Sequence, residues 1–278
     1  MRNLLCSSFL RLWKSWVFWT GMLFMAGVSL LSISTIYREM QEIGDYFPHA
    51  DNYLFSLALF LPILAAVFFG LFVGTEYSEG TIRNKIAAGH PRWAIYLSNL
   101  AVCGAAVSLM HLTAMAAVAA VGFPLIGNLE QPPQALLFLT ALSLVTVLAL
   151  CGIFLLLTML IPRKALAAVV ALLLAFSMLM VSMSVENSLS QPEFYPGYTI
   201  AEDGAHIPTG EQLPNPRYVS GTKRTVYLVL NDFLPSSQML QIGKQELTSP
   251  VRLPLYSLAI LAGTTVCGVV VFRRMDLK

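Results

Sequence analysis

Charge is scarce in this sequence, and the places where it gathers are the places to look for chemistry. The stretch GTEYSEGTIRNKIAAGHPRW, residues 74–93, holds Glu76, Glu79, Arg83, Lys85 and Arg92. The 278-residue chain as a whole is 56% hydrophobic and only 12% charged, against about 25% charged in a soluble domain. Carboxylates and cations interleaved in one short connector suit ion pairing with a surface outside the apolar segments on either side. Elsewhere reactive side chains are few. His111 is the only ionisable side chain, thiols apart, well inside an apolar run. Beside Gly104, Ala105, Ser108 and Ala114 it reads as hydrogen-bonded at a helix contact rather than as a proton carrier. Cys6, Cys103, Cys151 and Cys267 lack metal-ligand spacing and so read as small hydrophobes. The nearest approach to a phosphate-cradling G-x-x-x-x-G-K-[ST] loop is Ser220-Gly221-Thr222-Lys223, which lacks the first glycine. Catalysis at membrane depth would need His pairs, paired carboxylates or a metal, and the sequence offers none. No catalytic or metal-binding residue is assigned, and no cofactor is expected on this chain.

Positioning the charged stretch falls to long apolar runs at about 17–37, 54–73, 94–121, 135–161, 165–183 and 255–272. Most match the ~20 residues a helix needs to cross ~30 Å of hydrocarbon. Only helices and closed barrels satisfy their backbone in lipid, and the alternating ~10-residue pattern of barrel strands is missing. The expected fold is therefore all-α: a polytopic integral membrane protein with six transmembrane helices, forming one transmembrane domain over 1–278. Lys and Arg in short loops stay cytoplasmic. With the N-terminus inside, Arg2, Arg11, Lys14, Arg83, Lys85, Arg92, Arg163, Lys164, Arg273, Arg274 and Lys278 all fall on the inner side, whereas the short outer loops hold only Arg38. Both termini are thus expected in the cytoplasm, in a bacterial cell membrane. Basic residues spread along one membrane face do not make a nucleic-acid patch.

Residues 1–16, MRNLLCSSFLRLWKSW, precede the first span and are too long and too patterned for a cleaved signal peptide. Leu5, Phe9, Leu12, Trp13 and Trp16 fall on one helical face, with Arg2, Ser7, Arg11 and Lys14 on the other, as in an interfacial helix lying on the inner leaflet. Within the charged stretch, Glu79-Gly80-Thr81 reads as a break followed by a Thr N-cap, and Ile82 to Ala88 as a short helix. Gly89 suits the left-handed residue that ends it, and Pro91 the first turn of the next helix. Pro62 is expected to kink the second span. Residues 184–254 form a large outer segment. Its Pro- and Gly-rich first half reads as an irregular loop, and its second half as short helices at about 223–243, broken at Pro235.

The pattern E-Y-S-E-G-T-I-R-N-K-I-A-A-G-H-P-R-W-A-I-Y-L-S-N-L, joining the second and third of six spans, resembles the permease subunits of ABC type-2 exporters. Their loop reads roughly E-x-x-x-G-T-x-[RK], then a short helix, a turn and R-x-x-x-x-x-x-K. Glu76, Gly80, Thr81, Arg83 and Arg92 match; Asn99 stands where a Lys is common. Topology resembles the family too, from amphipathic leader to the outer segment before the last span. The resemblance implies that residues 74–93 are a coupling loop fitting a groove on a separate ABC ATPase subunit, with Glu76, Glu79, Gly80, Thr81, Arg83, Lys85, Gly89 and Arg92 carrying the coupling. ATP and Mg would sit on that nucleotide-binding partner. Six spans imply a second permease copy or a homologous permease, with membrane lipid around them. The family also implies short re-entrant helices closing the outer mouth, with Phe233, Leu234 and Pro235 as gate candidates. The spacing of caps alone leaves open a plain charged connector, and the outer helices read equally as an amphipathic pair on the membrane surface. The importer pattern E-A-A-x-x-x-G is missing, which favours export. Apolar walls suit an amphipathic peptide, a lipid or a hydrophobic drug as substrate. An ATPase-independent secondary carrier or channel is the alternative, although no internal repeat between the halves favours it.

Overall fold

The computed structural model describes residues 2–43, 48–127, 129–200 and 206–275, with only the backbone described at 198–200 and 206–211. Helix α1 (Arg2–Lys14) turns at Ser15 into α2 (Trp16–Ile43). Two 3-10 turns, Ala50–Tyr53 and Ser56–Phe60, lead into α3 (Leu61–Ser78). Next come α4 (Thr81–Ala87), α5 (Arg92–Ile126), α6 (Pro133–Leu160) and α7 (Lys164–Leu189). Strands β1 (Phe194–Ile200) and β2 (His206–Pro214) precede α8 (Gly221–Phe233), α9 (Pro235–Lys244) and α10 (Arg252–Arg274).

Six of these helical stretches are long and apolar enough to cross a membrane: α2, residues 50–78, α5, α6, α7 and α10. The all-α, multi-pass architecture follows from them. They are not equivalent within the bundle. The spans at 50–78 and α6 are the most enclosed, each with 67% of its apolar window buried, while α10 has only 17%. Lipid tails are as apolar as leucine, so helices in a membrane associate by close packing at small residues. A Cβ on Gly70 would lie 2.6 Å from Ala168 Cα, and one on Gly74 would lie 2.9 Å from Lys164 Cγ. These two glycines, four apart on α3, let α7 lie against it. On α10, Gly268 takes the Tyr96 ring from α5, and Thr264 sits on Gly152 of α6.

Pro62 occupies the first turn of α3, where its missing N–H costs nothing, directly after the 3-10 turns with which the span at 50–78 begins. Other local expectations are corrected. Residues 194–214 are not an irregular loop but carry an antiparallel pair, with Phe194 opposite Pro214 and Ile200 opposite His206. Both strands of a two-stranded sheet are edges, so Pro196, Pro208 and Pro214 are tolerated. Phe194 and Tyr195 are 46% and 40% exposed, so no buried face imposes the alternation that announces a strand. In the leader, Leu4, Ser8 and Leu12 are buried, while Phe9, Trp13 and Trp16 of the expected apolar face are exposed. Finally, Gly80 rather than Thr81 is the N-cap of α4, no side-chain cap bond is made there, and Pro91 is the N-cap of α5 rather than part of its first turn.

Candidate functional site

The turn from α3 into α4 is made by Gly80 at φ +67° and the exit from α4 by Gly89 at φ +83°. A Cβ at either position would meet nothing within 4 Å, so the requirement for glycine is conformational, not steric. Between these two hinges α4 is amphipathic over barely two turns. Ile82 is buried, with Lys85 and Ile86 half-buried beside it, while Arg83, Asn84, Ala87 and Ala88 are exposed.

What fixes α4 in place is Glu76, a carboxylate with no exposure near the end of α3. Arg11 of α1 reaches it with Nη1 at 2.6 Å. Lys85 of α4 pairs with the same oxygen, and Asn99 of α5 donates through Nδ2 to the other at 2.5 Å. A charge so enclosed must be paired and hydrogen-bonded, and here four helices supply the parts. The Arg11 guanidinium also lies over the Phe72 ring, 4.0 Å from its centroid, a cation–π contact that binds α1 to α3. Beside them, Tyr77 donates to the Met159 carbonyl at 2.5 Å, fastening α3 to the end of α6.

The residues flagged in the sequence separate into two sets. Glu76 and Lys85 meet inside the protein, whereas Glu79 and Arg83 face outward. Thr81 is half-buried as the first residue of α4. Arg92 turns to the last span: its Nη1 donates to the carbonyls of Phe272 at 3.1 Å, Arg273 at 3.3 Å and Met275. Those are orphan carbonyls at the negative end of α10, where a cation is favoured. Arg11 and Asn99 were not singled out as partners of Glu76. Asn99 was visible only as a departure from a pattern, and Arg11 lies far away in the chain.

A second buried carboxylate, unforeseen in the sequence, stands at the other end of the same span. Asp51 has no exposure and accepts from the backbone N–H groups of Glu130, at 3.1 and 3.2 Å, and Gln131, at 2.8 Å. It ties the loop between α5 and α6 to the start of the second span. His111 is buried, with Nε2 3.0 Å from Ser143 Oγ of α6, the helix-contact hydrogen bond read from its surroundings.

Beside Asp51, α9 packs among the spans, while α8 buries only Asn231 and Asp232. Helix α9 is polar yet buried: Ser236, Ser237, Gln238 and Gln241 are each at most 3% exposed. Gln238 Oε1 accepts from Thr146 at 3.0 Å and Ser257 at 2.5 Å, and its Nε2 donates to the carbonyls of Asp232 at 2.7 Å and Leu253 at 3.2 Å. Ser182 of α7 lies 2.6 Å from Ser236 and accepts from Ser237 at 2.8 Å. Pro235 opens α9 and is buried, Leu234 is the linking residue, and Phe233 is 42% exposed with its ring edge-on to Tyr256 at 5.7 Å.

Comparison with known families returns one assignment of near-complete extent. The family described as "ABC-2 family transporter protein" matches residues 14–277. Among proteins of curated function, none matches the chain.

Proposed function

The chain belongs to the ABC-2 transporter family, and from that membership we propose that it is the transmembrane subunit of an ATP-driven exporter whose ATPase is a separate chain. Residues 74–93 are the coupling loop, on the cytoplasmic side with both termini. The partner's groove receives the exposed face of α4, and its closure is passed inward through Glu76. Support comes from the two-sided build of α4: one face is clamped by Ile82 and the Glu76–Lys85 pair, the other leaves Arg83, Asn84 and Ala87 exposed. A mere connector has no need of a buried clamp joining four helices. Two such permeases, identical or related, act with two ATPases, and the cargo is an amphipathic peptide, a lipid or a hydrophobic drug.

The test is ATP hydrolysis by the assembled complex, with membrane insertion checked separately. Arg83→Glu should weaken assembly. Arg83→Lys should keep topology but lose part of the coupling, because a guanidinium makes two fixed hydrogen bonds to a carboxylate and an ammonium does not. Gly80→Val should impair coupling, since a left-handed β-branched residue costs about 1–2 kcal/mol. If all three assemble and hydrolyse ATP like the parent, the loop is a connector only.

A further inference from the structure

Two cavities meet where the leader turns into the first span. One, about 380 Å³, opens where the ends of α1, α2, α3 and α7 meet, among Arg11, Lys14, Ser15, Thr75, Glu79 and Lys164. The other, about 320 Å³, continues between α2 and α3 and is walled almost wholly by apolar groups, among them Val17, Phe24, Phe60, Leu64, Val67 and Leu71. Trp16, Val17 and Leu71 line both, so the polar mouth leads directly into the apolar groove. The mouth is cationic, with three basic side chains against the single carboxylate of Glu79. Arg11 is already paired with Glu76, but its Nε and Nη2 have no hydrogen-bond partner among the described residues. Lys164 is held at the mouth because its stem lies on Gly74, where a Cβ would come within 2.9 Å of its Cγ. Exposed Trp16, at the rim, has the amphipathic ring that prefers the headgroup level.

We propose that this cleft is a binding site for one anionic phospholipid, its phosphate at Lys14 and Lys164 and one acyl chain in the groove between α2 and α3. Charge and polarity change in the order a lipid presents them: cations at the interface, hydrocarbon beneath. A neutral lipid would leave the basic mouth unanswered, and a soluble anion would leave the groove empty. The cavity size lies within the ~300–1,000 Å³ of small-molecule sites. Because Arg11 lines the mouth and also holds Glu76, the lipid phosphate bears on the node that fixes α4. The site does not depend on what the protein transports.

The experiment is native mass spectrometry of the purified assembly in zwitterionic detergent, titrated with phosphatidylglycerol or phosphatidylcholine. One phosphatidylglycerol per chain should be retained in preference to phosphatidylcholine. At roughly fivefold per basic group near an anionic membrane surface, the Lys14→Gln/Lys164→Gln pair should weaken phosphatidylglycerol binding roughly thirtyfold. Phosphatidylcholine binding should not move, and Lys223→Gln, at the other end of the bundle, should change neither. Val67→Trp, which fills the groove, should reduce retention of both lipids; should that variant misfold by circular dichroism, the charge pair still decides. Equal retention of the two lipids, unchanged binding by the charge pair, full competition by glycerol phosphate alone, or a groove closed by a second copy with no lipid retained would each overturn the proposal.

Discussion

A carboxylate without exposure is tolerated only where its charge is answered, and Glu76 is answered by Arg11, Lys85 and Asn99. Removing it by Glu76→Ala leaves two cations facing each other. Breaking a buried pair by deleting one partner costs about 3–5 kcal/mol. The low end applies here, since Arg11 and Lys85 keep 27% and 13% of their side-chain exposure. A clear drop in unfolding temperature of the full chain in detergent, followed by tryptophan fluorescence, is the expected outcome. Asn99→Lys sharpens the point, because it brings a third cation to one carboxylate and should destabilise alone. Combined with Lys85→Gln it restores two cations and should recover stability; an additive loss in the double variant would mean that the residues do not share one site. Glu76 and Lys85 were legible in the sequence as charges in a loop, but not their inward turn. Arg11 was read as part of a solvated face because helical spacing reports neighbours on one helix and says nothing of a partner more than sixty positions away.

At the scale of elements, hydropathy carried the reading well where lipid dictates it and poorly where it does not. All six spans were visible, since ~20 apolar residues have few other uses. Gly104 and Ser108 stand out as small residues, whereas α7 approaches α3 at Gly70 and Gly74, equally spaced but on a span apolar nearly all round, where no periodicity marks the contact face. The depth of α9 was read through resemblance, and its means of attachment is a network no local pattern encodes. If α9 closes the outer mouth, Gln238 is its lock, with four partners from three elements, α6, α8 and α10. Gln238→Leu leaves the hydroxyls of Thr146 and Ser257 and two carbonyls without this partner, at about 1–3 kcal/mol for each buried group left unsatisfied. It should raise dye leak from proteoliposomes. Phe233→Ser and Leu234→Ser should raise it less, because Phe233 is partly exposed and its ring meets only Tyr256 among the described aromatic contacts. Leak unchanged in all three, with expression and helicity intact, would make α9 a structural element and not a gate.

For the molecule as a whole, burial falls from the central spans, at 67% of their apolar windows, to 33% for α5 and α7, 28% for α2 and 17% for α10. A span that gives so little surface to its own chain has the rest available for lipid or for another span. On α10 the outward strip runs through Leu255, Leu258, Ala262, Gly263, Val266 and Cys267. A Cβ on Gly263 would meet nothing within 4 Å, so the strip offers a close approach that this chain itself does not use, and small residues are where helices associate in lipid. A two-fold pair of identical copies brings the same patch to itself, so residues near the axis meet their own counterparts. Cys267 is exposed, unlike Cys103 and Cys151, and therefore reports on that axis without any engineered change. Two permease copies in the assembled transporter are the expectation, measured as the mass of the solubilised complex. Mild oxidation should then link the copies through Cys267 if α10 lies at the seam, with Cys267→Ser as the control. A pair of copies that never cross-links would move the seam to α2 or α7, and a single copy that transports on its own would remove the need for one.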